Sequence, residues 1–310
     1  MKMLLIVGKE WYPEGTNIPE GYAVAPEMLR DELGFNIVQL TPEMRIPPDV
    51  DLVISRCPIP SLVDLNKKVK LIFWISDVHI IGRVKEEVKE KIDIRKAIFE
   101  RSDRVISSGY SEFKREYPQF INKVVFSPRS FGPILGFCNL KFNRAPKMKC
   151  LMSGRLSSSI YPLRNYIKKY GRRDIIDIGM KLAKKHRKKG MCIWKYAGDD
   201  YPKWLNSYFC CVTSSSIFNY VVGKYFEIPA TGSLLLANET EDSKRAGFIP
   251  YVHFIPITKK NAISQIKKCL KDPKKFDEVR KAGMKFVREN HSVNNRFEQF
   301  KKIIEEVLEK

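Results

Sequence analysis

Two rhythms of apolar and polar positions alternate along this chain. Met3–Gly8 is a continuous apolar run closed by glycine, the pattern of a strand buried on both faces of a parallel sheet. Shorter apolar runs at 37–40, 51–55, 70–76, 104–108 and 123–127 predict further strands. Between them, 25–33, 84–101 and 111–117 carry the wider spacing of amphipathic helices. Strands alternating with helices predict a parallel α/β sheet.

The rhythm lapses from Pro128 to Lys147, where Pro133, Pro146, Gly132 and Gly136 gather. We place the domain boundary in this stretch, giving residues 1–142 and 143–310. Beyond it, strands are expected at 149–153, 192–197, 209–213, 233–237 and 252–255. Helices are expected at 162–169, 174–186, 202–207 and 221–230, and three more close the chain at 262–271, 273–289 and 293–309. Two α/β halves around such a linker predict a cleft, and sheets of this kind bind ligands at the carboxyl ends of their strands.

Composition narrows the choices. At 310 residues the chain has room for two cores. No apolar run approaches the roughly 18–20 residues that span a bilayer, and Met1–Gly8 is too short for a signal peptide, so a cytoplasmic location is expected. The 7 cysteines show no C-x-x-C spacing, which predicts buried, reduced thiols. A net charge of +21 calls for an acidic partner: nucleic acid, an anionic membrane surface or a phosphate-bearing substrate. Much of it crowds between Arg164 and Lys189, which reads equally as a solvated basic face. No RNA- or DNA-binding motif with aromatic interleaving accompanies it, so nucleic acid is not expected.

Three stretches carry candidate chemistry. The first runs Ser153-Gly154-Arg155 to Tyr161-Pro162-Leu163-Arg164: strand, glycine turn, serine-rich loop, helix. Pro162 suits a first helical position, and a helix N-terminus attracts anions. Arg155 and Arg164 flank it and could clamp a diphosphate bidentately; an ordinary turn with surface arginines is the plainer reading. The second is Lys224-Tyr225-Phe226-Glu227-Ile228-Pro229-Ala230-Thr231-Gly232-Ser233. In the expected helix, Tyr220, Lys224 and Glu227 share one face. A cation and a carboxylate among apolar neighbours suit a phosphate and a ribose, because a buried carboxylate needs donors; the alternative is a surface ion pair. Gly232 and Ser233 would allow close approach of the backbone to a ligand. The third is Asp77-Val78-His79 at the tip of a buried strand. His79 could move a proton, with Asp77 orienting it or acting as the base; a capping Asp and a packed His explain the pair as well. Trp11 and Tyr12, in the loop after the first strand, could stack on an acceptor sugar. No histidines share metal-ligand spacing, and Asp199-Asp200 is not an Asp-x-Asp motif.

The Ser-Gly-Arg/Tyr-Pro-Leu-Arg and Lys-Tyr-Phe-Glu-Ile-Pro-Ala-Thr-Gly elements resemble those of CgeB-like glycosyltransferases. So does the closing pattern of Lys281-Ala282-Gly283, Glu289-Asn290-His291-Ser292 and Arg296. That family sits within the wider group of GT-B fold enzymes. The likeness covers Lys149 to Phe300; the first half shares only its strand-helix rhythm and Asp77-x-His79. It implies two Rossmann-like domains facing a cleft, with the last helix packing back on the first domain. It also implies a metal-independent glycosyltransferase whose donor is a nucleoside-diphosphate sugar and whose acceptor is a glycan, glycolipid or glycoprotein. Glu227 would hold the ribose, and Arg155, Arg164 and Lys224 the diphosphate. Many relatives in the wider group carry a second glutamate eight residues upstream of this one, where the present chain has Asn219. Two rival readings stand beside this one: a non-enzymatic GT-B module that binds nucleic acid or an anionic surface, and a nucleotide-sugar epimerase.

Overall fold

The computed structural model describes residues 1–8, 26–41, 44–79, 85–131, 136–154, 156, 159–179, 187–188, 191–192 and 200–309. The chain forms two units, Met1–Pro128 with Val293–Lys310, and Arg129–Ser292. The first unit thus ends at Pro128 rather than at 142, and it reclaims the C-terminal helix.

The first unit contains β1 (Met3–Val7), α1 (Pro26–Leu33), β2 (Asn36–Gln39), β3 (Leu52–Ser55), β4 (Lys70–Ile75), α2 (Lys85–Arg101), β5 (Arg104–Ser107), α3 (Tyr110–Glu116) and β6 (Val124–Phe126). Its strands pair in parallel in the order β2-β1-β3-β4-β5-β6. Successive side chains of a strand face opposite sides, and here both sides are covered. Leu4, Ile6, Val53 and Phe73 pack with Phe99 of α2 and Phe113 of α3. Leu5, Val7, Leu52, Ile54 and Trp74 pack with Leu29 of α1 and with the last helix, α10 (Val293–Leu308).

The second unit contains β7 (Lys147–Met152), α4 (Pro162–Tyr170), β8 (Ile176–Ile178), the short pair β9 (Arg187–Lys188) and β10 (Met191–Cys192), α5 (Asp200–Asn206), β11 (Tyr208–Val212), α6 (Lys224–Ala230), β12 (Leu234–Ala237), α7 (Glu241–Arg245), β13 (Ile255–Pro256), α8 (Ala262–Lys271) and α9 (Asp277–Asn290). Its main sheet is parallel, in the order β13-β12-β11-β7-β8. Cys150, Met152, Cys210, Leu234 and Leu236 pack with Leu163, Ile167 and Ile266 from α4 and α8. Six described cysteines are free thiols, and only Cys138 among them is exposed. Burial pushes the Cys150 and Cys210 thiols up, and Cys269 to about 12, so they act as small apolar groups.

The returning helix is α10 (Val293–Leu308). Phe297, Phe300, Ile304 and Val307 fall on one of its faces, three to four residues apart, and all are buried in the first unit's core. Phe300 meets Trp74 edge-on at 4.6 Å between ring centroids.

Three expectations of secondary structure are corrected; one is the strand expected at 252–255, where residues 251–253 form a turn and the strand is Ile255–Pro256. Of the helix expected at 174–186, the described residues 174–179 hold instead a strand at Ile176–Ile178, paired with Cys150–Met152; residues 180–186 lie outside the described residues. Local lysine-rich composition favoured a helix there, but Ile-Asp-Ile fits a pleated edge, where tertiary pairing decides. The helix expected at 221–230 starts only at Lys224. Asn219 adopts a left-handed φ of 57°, which ends regular structure just before it. Tyr220 therefore lies ahead of the helix and does not share a face with Lys224 and Glu227.

Candidate functional site

In the second unit the carboxyl ends of β7, β11 and β12 bring three turns together. After β7, Ser153 is buried and Gly154 adopts φ +96°, a conformation that favours glycine. A Cβ on Gly154 would stand 2.9 Å from Lys224 Cε and 3.6 Å from Arg164 Nη1. The bare glycine therefore lets this turn lie directly against both cations. Arg155 lies outside the described residues.

Arg164 is only 3 % exposed. It sits in the first turn of α4, which begins at Pro162; the capping residue is Tyr161, with no side-chain cap bond. Arg164 Nη2 donates to Thr213 Oγ1 at 2.9 Å and to the Ser214 carbonyl at 2.6 Å, and its guanidinium lies 4.0 Å from the Tyr161 ring centroid. Burial lowers its pKa, opposed by Tyr161, Tyr225, Tyr201 and Glu227. Arg164 thus braces the loop after β11 rather than lying as an open clamp on the surface.

That loop, Thr213–Ser216, is buried throughout. Asn238, just past β12, ties it down: Asn238 Oδ1 accepts from the Ser215 amide at 2.9 Å, and Nδ2 donates to Ser215 Oγ at 2.8 Å. Tyr225 Oη in turn donates to the Asn238 carbonyl at 2.6 Å.

Lys224 and Glu227 stand at the start of α6. Glu227 is 8 % exposed, and its Oε2 accepts from Tyr201 Oη at 2.8 Å. Lys224 Nζ donates to the same Tyr201 oxygen at 2.5 Å and lies 3.8 Å from Glu227 Oε2. Burial, then the charge of Glu227, pushes the Tyr201 hydroxyl well above its ordinary pKa, so it stays protonated and donating. Cation, phenol and carboxylate form one cluster beside the Gly154 turn. Tyr201 and Asn238 carried no signal in the sequence beyond their places: one opens a helix before β11, the other follows β12.

Gly232 and Ser233 are corrected. They precede β12 and so lie at the amino end of the sheet, opposite the Lys224 cluster. Ser233 Oγ lies 2.6 and 2.8 Å from the Leu205 and Tyr208 carbonyls, which share its one hydroxyl proton. Gly232 has φ +81°, faces Met284 and Phe142, and its carbonyl accepts from Arg280 Nε at 3.0 Å. Both residues are committed to packing. Tyr220 is buried, its ring 5.9 Å from that of Phe218.

In the first unit a cavity of about 360 Å³ opens at the carboxyl ends of β1, β3 and β4, with Arg56, Trp74, Ser76, Asp77 and Arg95 in its wall. Asp77 is exposed and His79 half-buried. Burial lowers the His79 pKa, Asp77 raises it and Arg95 lowers it. Trp11 and Tyr12 lie outside the described residues. Among the described residues no group of three or more His, Cys, Asp or Glu could hold a metal ion, and no helix is long and apolar enough to cross a membrane.

Residues 185–302 match the protein family described as Glycosyl transferase-like. No curated protein sequence matches the chain. Among solved structures, HepE of Anabaena in complex with UDP and glucose is similar over 99% of this chain and 100% of its own, at 10% identity and a TM-score of 0.63. Sucrose-phosphate synthase of Thermosynechococcus elongatus is similar over 98% of each chain, at 12% identity and a TM-score of 0.63. The pneumococcal O-GlcNAc transferase GtfA, in complex with UDP and GlcNAc, is similar over 84% of this chain and 57% of its own, at 15% identity and a TM-score of 0.51. At these identities the likeness is one of architecture: the chain has the GT-B fold, with two Rossmann-like parallel sheets and a C-terminal helix returned to the first.

Proposed function

We propose that the protein is a glycosyltransferase of the CgeB-like kind, moving a sugar from a nucleoside-diphosphate donor to an acceptor hydroxyl. The observation that carries this reading is the Tyr201–Lys224–Glu227 cluster at the carboxyl end of the second sheet. In this reading Glu227 accepts from a ribose diol. Lys224, beside the Gly154 turn, meets the diphosphate and stabilises it as it leaves. Arg155, which follows Gly154 in the sequence, and Arg164 are the other proposed diphosphate ligands. Charge on the leaving group is thereby met by side chains, and the proposed reaction is metal-independent. UDP in the HepE and GtfA complexes, and the Glycosyl transferase-like family match, support a nucleotide-sugar donor.

In the proposed reaction the acceptor oxygen bonds to the anomeric carbon. The bond from that carbon to the diphosphate oxygen breaks, its electron pair leaving with the nucleoside diphosphate. The hydroxyl proton passes to Asp77 or His79; burial lowers the His79 pKa, which keeps its imidazole neutral and able to accept. In this reading the acceptor is a glycan, glycolipid or glycoprotein, and the enzyme is cytoplasmic with a peripheral contact to an anionic membrane.

Titration calorimetry with UDP and GDP tests the donor assignment, and slow hydrolysis of UDP-, GDP- and dTDP-sugars tests turnover without needing an acceptor. Absence of binding by every nucleoside diphosphate at millimolar concentration would overturn it.

A further inference from the structure

Two neighbouring helices of the second unit carry cations and no acids. α4 and α8 lie on the same side of the sheet: Leu163 and Ile167 of the one share a core cluster with Ala262, Ile266 and Cys269 of the other. Burying those positions turns the opposite sides of both helices to solvent. Lys168 and Lys169 of α4 are exposed there, as are Lys267, Lys268 and Lys271 of α8 and Lys274 just beyond it. Neither helix contains an acidic residue. The nearest acids in sequence are already paired: Asp174 with Arg172 at 2.7 Å, and Asp272 with Lys275 at 2.5 Å. Residues 180–198 contain no Asp or Glu, so that segment brings no negative charge to this face.

Other helices of the chain are built differently. α9 and α10 intersperse Glu with Lys, and α9 pairs Lys281 with Glu278 and Lys285 with Glu289. A cation in the last turn complements the helix dipole, but that does not require two adjacent helices to be free of acids. Like charges gathered this way repel one another, a cost that an anionic partner removes. Two helices side by side on a sheet make a level surface rather than a groove. Nucleic acid is met by an element that enters a groove or by aromatics that stack on bases. A level field of lysines fits a plane of phosphates, the headgroup layer of an anionic bilayer. Tyr170 is 54 % exposed, with Lys169 Nζ 5.1 Å from its ring centroid and the Tyr166 ring at 4.7 Å. Such an amphipathic ring suits the headgroup level. Both helices follow a strand and run back along the sheet, so the last turns that carry these lysines lie at its amino end. Docking there leaves the Lys224 cluster, at the carboxyl end, uncovered.

We propose that the outward face of α4 and α8 docks on an anionic lipid bilayer, with these six lysines among its phosphates. This names the surface for the peripheral membrane contact in the reading above, and it rests on that contact rather than on sugar transfer. Docking is electrostatic and reversible, so it weakens as salt screens the lysines.

Co-sedimentation of the full-length protein with vesicles, without nucleotide, tests this. One set is phosphatidylcholine alone; the other mixes phosphatidylcholine and phosphatidylserine at about three to one. The protein is expected to sediment with the mixed set only. It is expected to be released as salt rises from about 0.1 M to about 1 M, where the screening length falls from about 10 Å to about 3 Å. A lysine at an anionic surface contributes roughly five-fold to partitioning, so Lys267→Gln with Lys271→Gln is expected to weaken it about twenty-five-fold. Lys301→Gln with Lys302→Gln removes the same charge from two exposed positions of α10 and is expected to weaken it less than about three-fold. Lys267→Arg with Lys271→Arg keeps the charge and is expected to stay within about two-fold of the parent. Melting temperatures close to the parent's show that the variants fold. Sedimentation with phosphatidylcholine alone, none with the mixed vesicles, or equal weakening by the two Gln pairs overturns the proposal. So does a random-sequence duplex DNA or RNA that strips the protein from the mixed vesicles at equal phosphate concentration, which makes the face a nucleic-acid surface. If UDP binds and the mixed vesicles do not carry the protein down, the face assignment fails and the donor site stands; the reverse result leaves the face and removes the donor site.

Discussion

Tyr201 Oη donates to Glu227 at 2.8 Å while accepting from Lys224 at 2.5 Å, so one phenol spaces a cation from a carboxylate. Without it, Lys224 and Glu227, already 3.8 Å apart, would close into a direct ion pair and turn away from a ligand. Hydrogen bonds to charged groups contribute about 1.5–3 kcal/mol, or roughly ten-fold to a hundred-fold in affinity. Glu227→Ala is expected to weaken UDP binding by that factor. Tyr201→Phe is expected to weaken it less, by about 1 kcal/mol for one such contact misplaced. Calorimetry checks both; an unchanged Glu227→Ala affinity and turnover would remove the ribose role.

Gly154 and Gly232 both have positive φ and lie at opposite ends of the same sheet, so they separate binding from stability. A left-handed non-glycine residue costs about 1–2 kcal/mol. Gly154→Ala adds a methyl 2.9 Å from Lys224 Cε, and that flexible chain must move. The variant is expected to lose about ten-fold in UDP affinity, in line with one displaced charge-assisted bond. Gly232→Ala instead presses on Met284 and Phe142 at 3.1 and 3.2 Å. It is expected to lower the melting temperature by several degrees, about 2–4 °C per kcal/mol for a protein of this size, with UDP affinity unchanged.

His79 offers a test in pH. Its lowered pKa places the loss of a neutral imidazole below the ordinary value of 6.5. If His79 takes the acceptor's proton, kcat/KM falls on the acid side with an apparent pKa below 6.5. His79→Gln is then expected to abolish that limb and cost about 10²–10⁴ in rate. Asp77 raises the His79 pKa, so Asp77→Asn is expected to move the limb to still lower pH while keeping turnover. Should Asp77→Asn instead abolish turnover and leave no limb, Asp77 is the base.

Much of this arrangement is legible in the chain because it is local. Leu71–Ile75 must be a buried strand, and the face of α10 repeats every three to four residues. Lys224 and Glu227 stand one turn apart among apolar neighbours, which marks a helix with a buried polar edge. What escapes reading depends on which strand end a residue reaches. Gly232 and Ser233 have the composition of a ligand-contacting turn, yet they precede β12 and are used up by Arg280, Leu205 and Tyr208. Tyr201 and Asn238 acquire their roles only when parallel pairing aligns β11 with β12. Arg164 reads as a diphosphate clamp or a surface cation and is buried, because the loop it braces arrives from 49 and 50 residues further along the chain.

Asp177 gives a prediction about stability that is independent of the site. It sits on edge strand β8, where Lys147, Lys149 at 3.0 Å and Tyr208 at 2.8 Å all donate to its carboxylate. Burial alone would raise its pKa, but these donors outweigh it and hold the carboxyl at about 2, below the ordinary 3.8. The folded protein therefore holds this proton less tightly than the unfolded chain does. Its contribution to stability is fully present above pH 3.8 and is lost as pH falls through about 2. Asp177→Asn is expected to melt at lower temperature than the parent at pH 7, because it loses acceptor capacity for three donors that join β7, β8 and β11. As pH drops from 4 toward 2 the parent should approach the variant, since protonation removes the same charge. Parallel melting curves across that range decide it: a gap that stays constant from pH 7 to pH 2 would mean that the carboxylate's charge does not hold β8 to its neighbours.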